Sequence, residues 1–537
     1  MGAVSSQAQE KQGMEEKYNN NDTAPEGHTI RCEGWTIEKP IRSWSASAMV
    51  YVDNVMVPPP GPGQVRVKIY AASVNPVDVK RPKFGRNNGF FSWCNENFGK
   101  VGKNSNSNIG AGVSEIVSTF TRHEPPEFPF PYVMGTEGAG VVESVGWDND
   151  DMEQRERYGL QVGDRVAFLA DITMVNGGTF CQYALAMADA VGRIPSPTTD
   201  DVIGFLEAAV MPCAVGTAYV ALFDKLRVSS GRSILISGAS GGIGSAAVQL
   251  AKYAGMYVLA SCSTVNVAYV KSLGADYVFD YTASDVVGEC LAHTRGFGVD
   301  YVLEVADAAL AVHHADALRF GGSICVLPEH MPISSEVFFR RQLSICYVCL
   351  TGLHADPLTR GNLRHVVETC MKLYQLGAFQ LQLETVPVER ADTALDIISA
   401  GHTRGKIVLT IFHPDDMPCG DDMMGTRHRK HALINAKRQS TQQTHTPPPA
   451  SSSGPDDQTN TADENGTQPR QCLSAQHRSK QSPKETTPRE ANSSSITKRR
   501  LTPCGQRSAT RFLNRKIIRR PCPLKMLLFV NGALRAQ

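Results

Sequence analysis

Apolar residues recur along this chain with two distinct rhythms. From residue 46 to about 195 they come as short bursts, at 65–70, 141–145 and 165–169, broken by Gly and Pro. Alternating or wholly apolar runs of that length predict strands, and their punctuation predicts an irregular all-β domain. From about 199 to 377, apolar runs alternate with stretches of helical periodicity. That alternation predicts βαβ units on a parallel sheet, with strands at 233–236, 257–260, 300–303 and 323–327. A segment over 378–413 follows neither rhythm and closes on a strand-like run at 407–411.

Both ends and one interior stretch lack such patterns. Residues 1–45 are polar, with an Asn/Asp run at 19–22, and are expected to form a disordered arm. The tail over 414–537 is rich in Ser, Thr, Gln, Pro and Arg and is expected to be disordered, because it cannot bury enough apolar surface to offset its ordering entropy. The stretch 85–129 is polar and Asn-rich, longer than a connection inside a compact domain requires, and reads as a disordered loop or a lid over a ligand site.

With 537 residues, 42% of them apolar, the chain has room for two or three domains. Lys and Arg number 54 against 53 Asp and Glu, yet residues 421–537 hold 21 of the basic and only 8 of the acidic groups. The body is therefore acidic and unsuited to a nucleic-acid groove. The tail's basic clusters at 498–500 and 515–520, with an N-terminal Gly2 to Ser6 pattern suited to myristoylation, would suit an anionic membrane. The run 526–530 is too short to span one. Fourteen cysteines without paired spacing, and no apolar leader, point to a reducing compartment: the cytoplasm, with a mitochondrial location as the alternative. Cys346 and Cys349 form a CxxC inside the apolar run 343–350 and are expected to be buried packing.

The strongest chemical signal is the run from Ser233 into Ser237-Gly238-Ala239-Ser240-Gly241-Gly242-Ile243-Gly244-Ser245, followed by a helix over 246–253. A strand, a Gly-rich turn and a helix N-terminus make a cradle for a dinucleotide pyrophosphate. Ala239 stands where the common fingerprint has its first glycine, so a purely structural turn is the alternative. The second strand ends in Ser261-Cys262-Ser263-Thr264, without the acid that would hold a ribose hydroxyl. Ser263 can donate to a 2′-phosphate, which favours NADPH over NADH.

Further motifs appear in a fixed order. They are Pro60-Gly61-Pro62-Gly63-Gln64-Val65, Asn75-Pro76-Val77-Asp78, Gly135-Thr136-Glu137-Gly138-Ala139-Gly140, Val162-Gly163-Asp164-Arg165-Val166, Leu273-Gly274-Ala275-Asp276 and Gly401-His402-Thr403-Arg404-Gly405-Lys406. In this order the chain resembles the medium-chain dehydrogenase/reductase superfamily, and within it the quinone oxidoreductase branch, including the mitochondrial reticulon-interacting reductases. The resemblance implies an α/β architecture: a GroES-like catalytic domain over 46–197 with the insertion 85–129, a Rossmann cofactor domain over 198–377, and a return segment over 378–413.

It also implies site residues. Zinc members of the family place a Cys and a His where this chain has Asn75 and Thr136, so no zinc is expected. Ser240, Gly241, Gly242 and Ile243 would hold the pyrophosphate, Ser263 and Tyr281 the 2′-phosphoadenosine end, and Asn75 and Thr217 would lie at the nicotinamide. Asn75 is the candidate catalytic-pocket residue. Lys80 is a candidate donor, although a solvated surface lysine is the plainer reading. Without a Lewis acid, hydride transfer from NADPH to a quinone or an α,β-unsaturated carbonyl is the expected chemistry. The alternatives are a 2-enoyl thioester reductase and a non-catalytic NADPH-binding, membrane-associated scaffold on the same fold. A homodimer through the edge strand near 343–350 is expected by resemblance, and no specific nucleic acid.

Overall fold

The computed structural model describes residues 27–39, 41, 43–80, 130–147, 151–171, 173–196, 202–327, 335–401, 403–412 and 425. Its fold is mixed α/β in two lobes. In the first, β3 (Gln64–Ser73), β5 (Glu137–Val145), β6 (Arg165–Leu169) and β8 (Gly192–Arg193) are neighbours in an antiparallel sheet, with β7 (Tyr183–Met187) paired to β3. A smaller sheet sets β1 (Ile30–Ile37) between β2 (Val50–Val57) and β4 (Tyr132–Val133). Val65, Val67, Ile69 and Ala71 alternate along β3 and are fully buried, because this central strand has partners on both sides.

In the second lobe, β9 (Ser233–Ile236), β10 (Tyr257–Cys262), β11 (Tyr277–Asp280), β12 (Val299–Glu304), β13 (Leu318–Val326) and β14 (Ser344–Tyr347) form one parallel sheet in the order 11-10-9-12-13-14. This is the doubly wound order whose crevice opens between its first and fourth strands, here β9 and β12. In β9, Ile234, Leu235 and Ile236 are buried because helices cover both faces of such a sheet.

Two helices join the lobes. The first, α1 (Phe205–Lys225), has 21 residues, a mean hydropathy of 1.6 and 94% of its apolar window buried, which makes it a core helix. The second, α2 (Gly242–Tyr253), packs Ala246, Ala247, Leu250 and Ala251 into the same core. The chain then returns: β15 (Leu383–Pro387) and β16 (Lys406–Thr410) extend the first lobe's sheet, with Val408 opposite Ser73.

Several expectations are corrected. The disordered arm does not extend through residue 45, since Ile30–Ile37 is a strand that buries Trp35 and Ile37. Cys349 is exposed beyond the end of β14 and only Cys346 is partly covered, so the CxxC pair is not buried packing. Strand β13 starts at Leu318, five residues earlier than expected. Within the tail, Gly425 is buried and its N–H donates to both Glu207 oxygens at 2.9 and 3.0 Å. The insertion 85–129, the residues before 27, Gly2 among them, and the rest of the tail lie outside the described residues.

Candidate functional site

After β9 the chain turns through Ser237 to Gly241 into α2. Gly238 adopts a left-handed φ of 58°, which suits glycine. Gly244 permits the helix to approach the turn: a Cβ there would lie 2.2 Å from the Gly238 carbonyl oxygen. At Gly241 such a Cβ would meet one atom, the Gly238 carbonyl oxygen at 3.6 Å, an ordinary contact without a clash. Ser240, Gly241, Gly242 and Ile243 are half-buried around the first turn of α2, where backbone N–H groups lack helical partners. The Ala239 N–H donates to the Ser261 carbonyl at 3.0 Å and ties the turn to the end of β10.

Ser263 follows β10, and its Oγ accepts from Asn266 Nδ2 at 3.1 Å. Asn266 Oδ1 in turn accepts from Arg404 Nε at 3.1 Å, while Arg404 Nη2 donates to the Val265 carbonyl at 3.0 Å. Arg404 also lies 5.3 Å from the Tyr269 ring centroid. Tyr281 is exposed at the end of β11, where its N–H donates to the Cys262 carbonyl at 3.2 Å. Asp280 beside it turns onto Thr282 at 2.7 Å, and the Thr264 and Thr282 hydroxyls hold its carboxyl below the usual range. Ser263, Tyr281 and Arg404 thus surround the carboxyl ends of β10 and β11.

A buried polar cluster lies at the other side of the turn. Lys406 Nζ donates to the Val74 carbonyl at 2.6 Å and to Asn75 Oδ1 at 2.7 Å, and stands 3.4 Å from Glu137 Oε1. Asn75 Nδ2 donates to Glu137 Oε1 at 2.9 Å and to the Ser73 carbonyl at 3.1 Å. Glu137 Oε2 accepts from the Cys213 N–H at 2.7 Å, one turn before Thr217 on α1. Thr136 Oγ1 donates to Asp78 Oδ1, and Asp78 Oδ2 accepts from the Asn75 N–H at 2.8 Å. Every one of these donors and acceptors belongs to a residue at least nine-tenths buried, Cys213 excepted. The Asn75 amide therefore has its oxygen and both N–H groups engaged inside the cluster.

The segment leading into β16 connects the parts. Gly405 N–H donates to the Ser240 carbonyl at 3.0 Å, Gly405 bridges Gly241, and a Cβ on Gly242 would lie 2.5 Å from Lys406 Cδ. Arg404, Gly405 and Lys406 thus run in sequence from Ser263, past the Gly-rich turn, to Asn75. Under the turn, Glu304 accepts from Ser237 Oγ at 2.5 Å and from the Ala306 N–H at 2.8 Å, and pairs with His314 Nδ1 at 2.6 Å, both side chains almost wholly buried. A separate cavity of about 510 Å³ opens between α1 and the end of β14, lined by Tyr219, Asp224, Tyr347, Leu350 and His365.

The sequence points to Ser240 to Ile243 for a pyrophosphate and to Ser263 and Tyr281 for a 2′-phosphoadenosine end; the structure sets these residues beyond the carboxyl ends of β9, β10 and β11. Sequence reasoning missed Arg404, Lys406, Glu137, Glu304 and His314. Arg404 and Lys406 were visible as two cations around a glycine in the closing motif. Nothing local marks Glu304 or His314.

The family model described as alcohol dehydrogenase GroES-like domain matches residues 61–196, and the one described as zinc-binding dehydrogenase matches 273–409. The chain belongs to the medium-chain dehydrogenase/reductase superfamily, in its quinone-oxidoreductase-like branch. A quinone-oxidoreductase homolog of the chloroplast of Spinacia oleracea is 28% identical over 369 residues, covering 66% of this chain and 92% of the relative. A mycocerosic acid synthase-like polyketide synthase of Mycobacterium tuberculosis is 26% identical over 361 residues, covering 66% of this chain but 14% of that much longer protein. Among solved structures with this superfamily fold, a mycobacterial protein in complex with NADPH superposes with a TM-score of 0.53 at 20% identity, covering 71% of this chain and 99% of the other.

Proposed function

We propose that this protein is a zinc-free, NADPH-dependent reductase that passes hydride to quinones or α,β-unsaturated carbonyls. The observation that carries the reading is the cleft itself: a glycine turn at a helix N-terminus whose adenosine end offers the Ser263 hydroxyl and the Arg404 guanidinium. A 2′-phosphate suits that pair, since a charge-assisted hydrogen bond from Arg is strong and Ser can donate beside it. The residues fit the cofactor in a second respect, because Gly241 lets a phosphate approach the backbone of the turn without meeting a side chain.

When bound, NADPH supplies the hydride. The chain's residues would hold it by the Ser240 to Ile243 turn and set Asn75 and Thr217 at its nicotinamide end. Asn75 serves there by shape and position, since its amide is committed to Lys406, Glu137 and Ser73. The zinc-free part of the reading rests on donor chemistry: Asn75 and Thr136 offer neither thiolate nor imidazole, and both are engaged in hydrogen bonds. Stoichiometric zinc in purified protein would overturn it.

The match within a polyketide synthase favours one second reading, a 2-enoyl thioester reductase. NADPH oxidation against a panel of quinones, enones and enoyl thioesters separates the two. Quinones or enones are expected to give the largest kcat/KM; thioesters leading the panel would favour the second reading, and no accelerated turnover despite NADPH binding would leave a scaffold. A homodimer formed along β14, where Tyr347 is exposed, accompanies this proposal.

A further inference from the structure

The Lys406–Glu137 pair is more than a structural tie. Three consecutive residues track the cleft: Arg404 beside Ser263, Gly405 bonded to Ser240, and Lys406 with its ammonium among Val74, Asn75 and Glu137. The segment crosses the cleft at Gly405, past the pyrophosphate turn at Ser240, with the Arg404 side chain reaching Asn266 on the adenosine side and the Lys406 side chain reaching Asn75 on the other. The reading of the cleft as an NADPH site, on which this inference rests, puts the nicotinamide ring at that last position. Glu137 is fully buried, Lys406 is 6% exposed, and their charged atoms are 3.4 Å apart, so each neutralises the other where solvent screens little.

Oxidised nicotinamide carries one positive charge more than reduced nicotinamide. A fixed charge nearby therefore changes the two affinities by different amounts, whereas a defect in shape changes both alike. We propose that Lys406 is a positioning residue that, by neutralising Glu137, sets the preference of the site for reduced over oxidised cofactor. Without the ammonium, the Glu137 carboxylate attracts the oxidised ring. Without the carboxylate, the ammonium repels it. The two halves of one ion pair thus act on the ratio of affinities with opposite signs.

The test is the ratio of Kd for NADP+ to Kd for NADPH, measured by calorimetry on the full chain, which needs no turnover and is insensitive to a fraction of misfolded protein. K406M is expected to lower that ratio and E137Q to raise it, each by about fivefold or more, as a unit charge in a poorly screened site implies. K406R keeps the charge and should leave the ratio near the wild-type value even if both affinities drop. N75D adds a carboxylate beside Lys406 and should shift the ratio in the direction of K406M, which supplies a second variant if K406M does not fold. Ratios that stay fixed, or that move the same way in K406M and E137Q, overturn the proposal while leaving the cofactor reading standing. A wild-type protein that binds neither nucleotide overturns both.

Discussion

Between Ser237 and Gly244 the cleft is lined by consecutive backbone, whereas around Asn75 it is assembled from side chains of residues 75, 78, 136, 137 and 406. The turn supplies N–H groups and space; the cluster supplies charge held in a network. A turn of this kind is sensitive to a Cβ added where its backbone packs closely, as at Gly244, and carries no charged side chain of its own. The cluster is sensitive to charge, because each buried group depends on the others for its hydrogen bonds. Glu304 and His314 complicate the contrast, since a side-chain pair also supports the backbone turn from below.

Replacing that support should have the largest effect. Glu304→Ala leaves His314, Ser237 and the Ala306 N–H without their common acceptor, and thermal unfolding should show a loss of roughly 3–5 kcal/mol. A loss below about 1 kcal/mol would mean that the turn holds itself up. Gly244→Ala comes next, because its Cβ meets the Gly238 carbonyl at 2.2 Å; overpacking of this kind costs about 1–3 kcal/mol. Gly241→Ala sharpens the point, since no atom lies within 3.6 Å of its Cβ. The Tm of this variant should be nearly unchanged while NADPH affinity drops, and an unchanged affinity would contradict the placing of the phosphate there.

Arg404→Ala removes an exposed cation, a loss of about 1.4 kcal/mol of binding or tenfold in Kd for NADPH. NADH, which lacks the 2′-phosphate, should bind the variant as it binds the wild type. Equal losses for both cofactors would assign Arg404 to structure alone.

The smallest effect concerns His354, whose Nε2 lies 3.1 Å from the Leu169 carbonyl. Burial pushes its pKa below the ordinary value, despite the attraction of Asp171. The unfolded chain then takes up a proton near pH 6.5 that the folded chain refuses, so the contribution of His354 is intact above about 6.5 and is lost as pH falls below it, by at most about 1.4 kcal/mol per pH unit. His354→Gln should flatten the acid limb of stability against pH, and an unaltered limb would remove His354 from the account.

The second lobe was legible because its strands have apolar centres and sit between helices. β9 was expected to the residue, and β10 ends two residues later than expected. β13 was read short because exposed Phe320 and the pair Gly321 and Gly322 interrupt its apolar run. β1 was hidden in a polar arm, and its Gly34 crosses so close to Cys181 that a Cβ would lie 2.4 Å from that residue's Cβ. In the site, whatever a local motif can encode was visible. The Arg404 to Asn266 bond spans 138 residues and the Lys406 to Asn75 bond 331, and only the return of the chain to the first lobe closes those distances.

Hydride transfer is the central claim, and NADPH deuterated at the transferable position of its nicotinamide tests it most directly. With the quinone or enone that gives the fastest turnover, mass spectrometry of an enone product should find deuterium on its β-carbon. For a quinone, whose new O–H exchanges with solvent, the oxidation rate should fall on deuteration. Product without deuterium from an enone, together with an unchanged rate, would contradict the account.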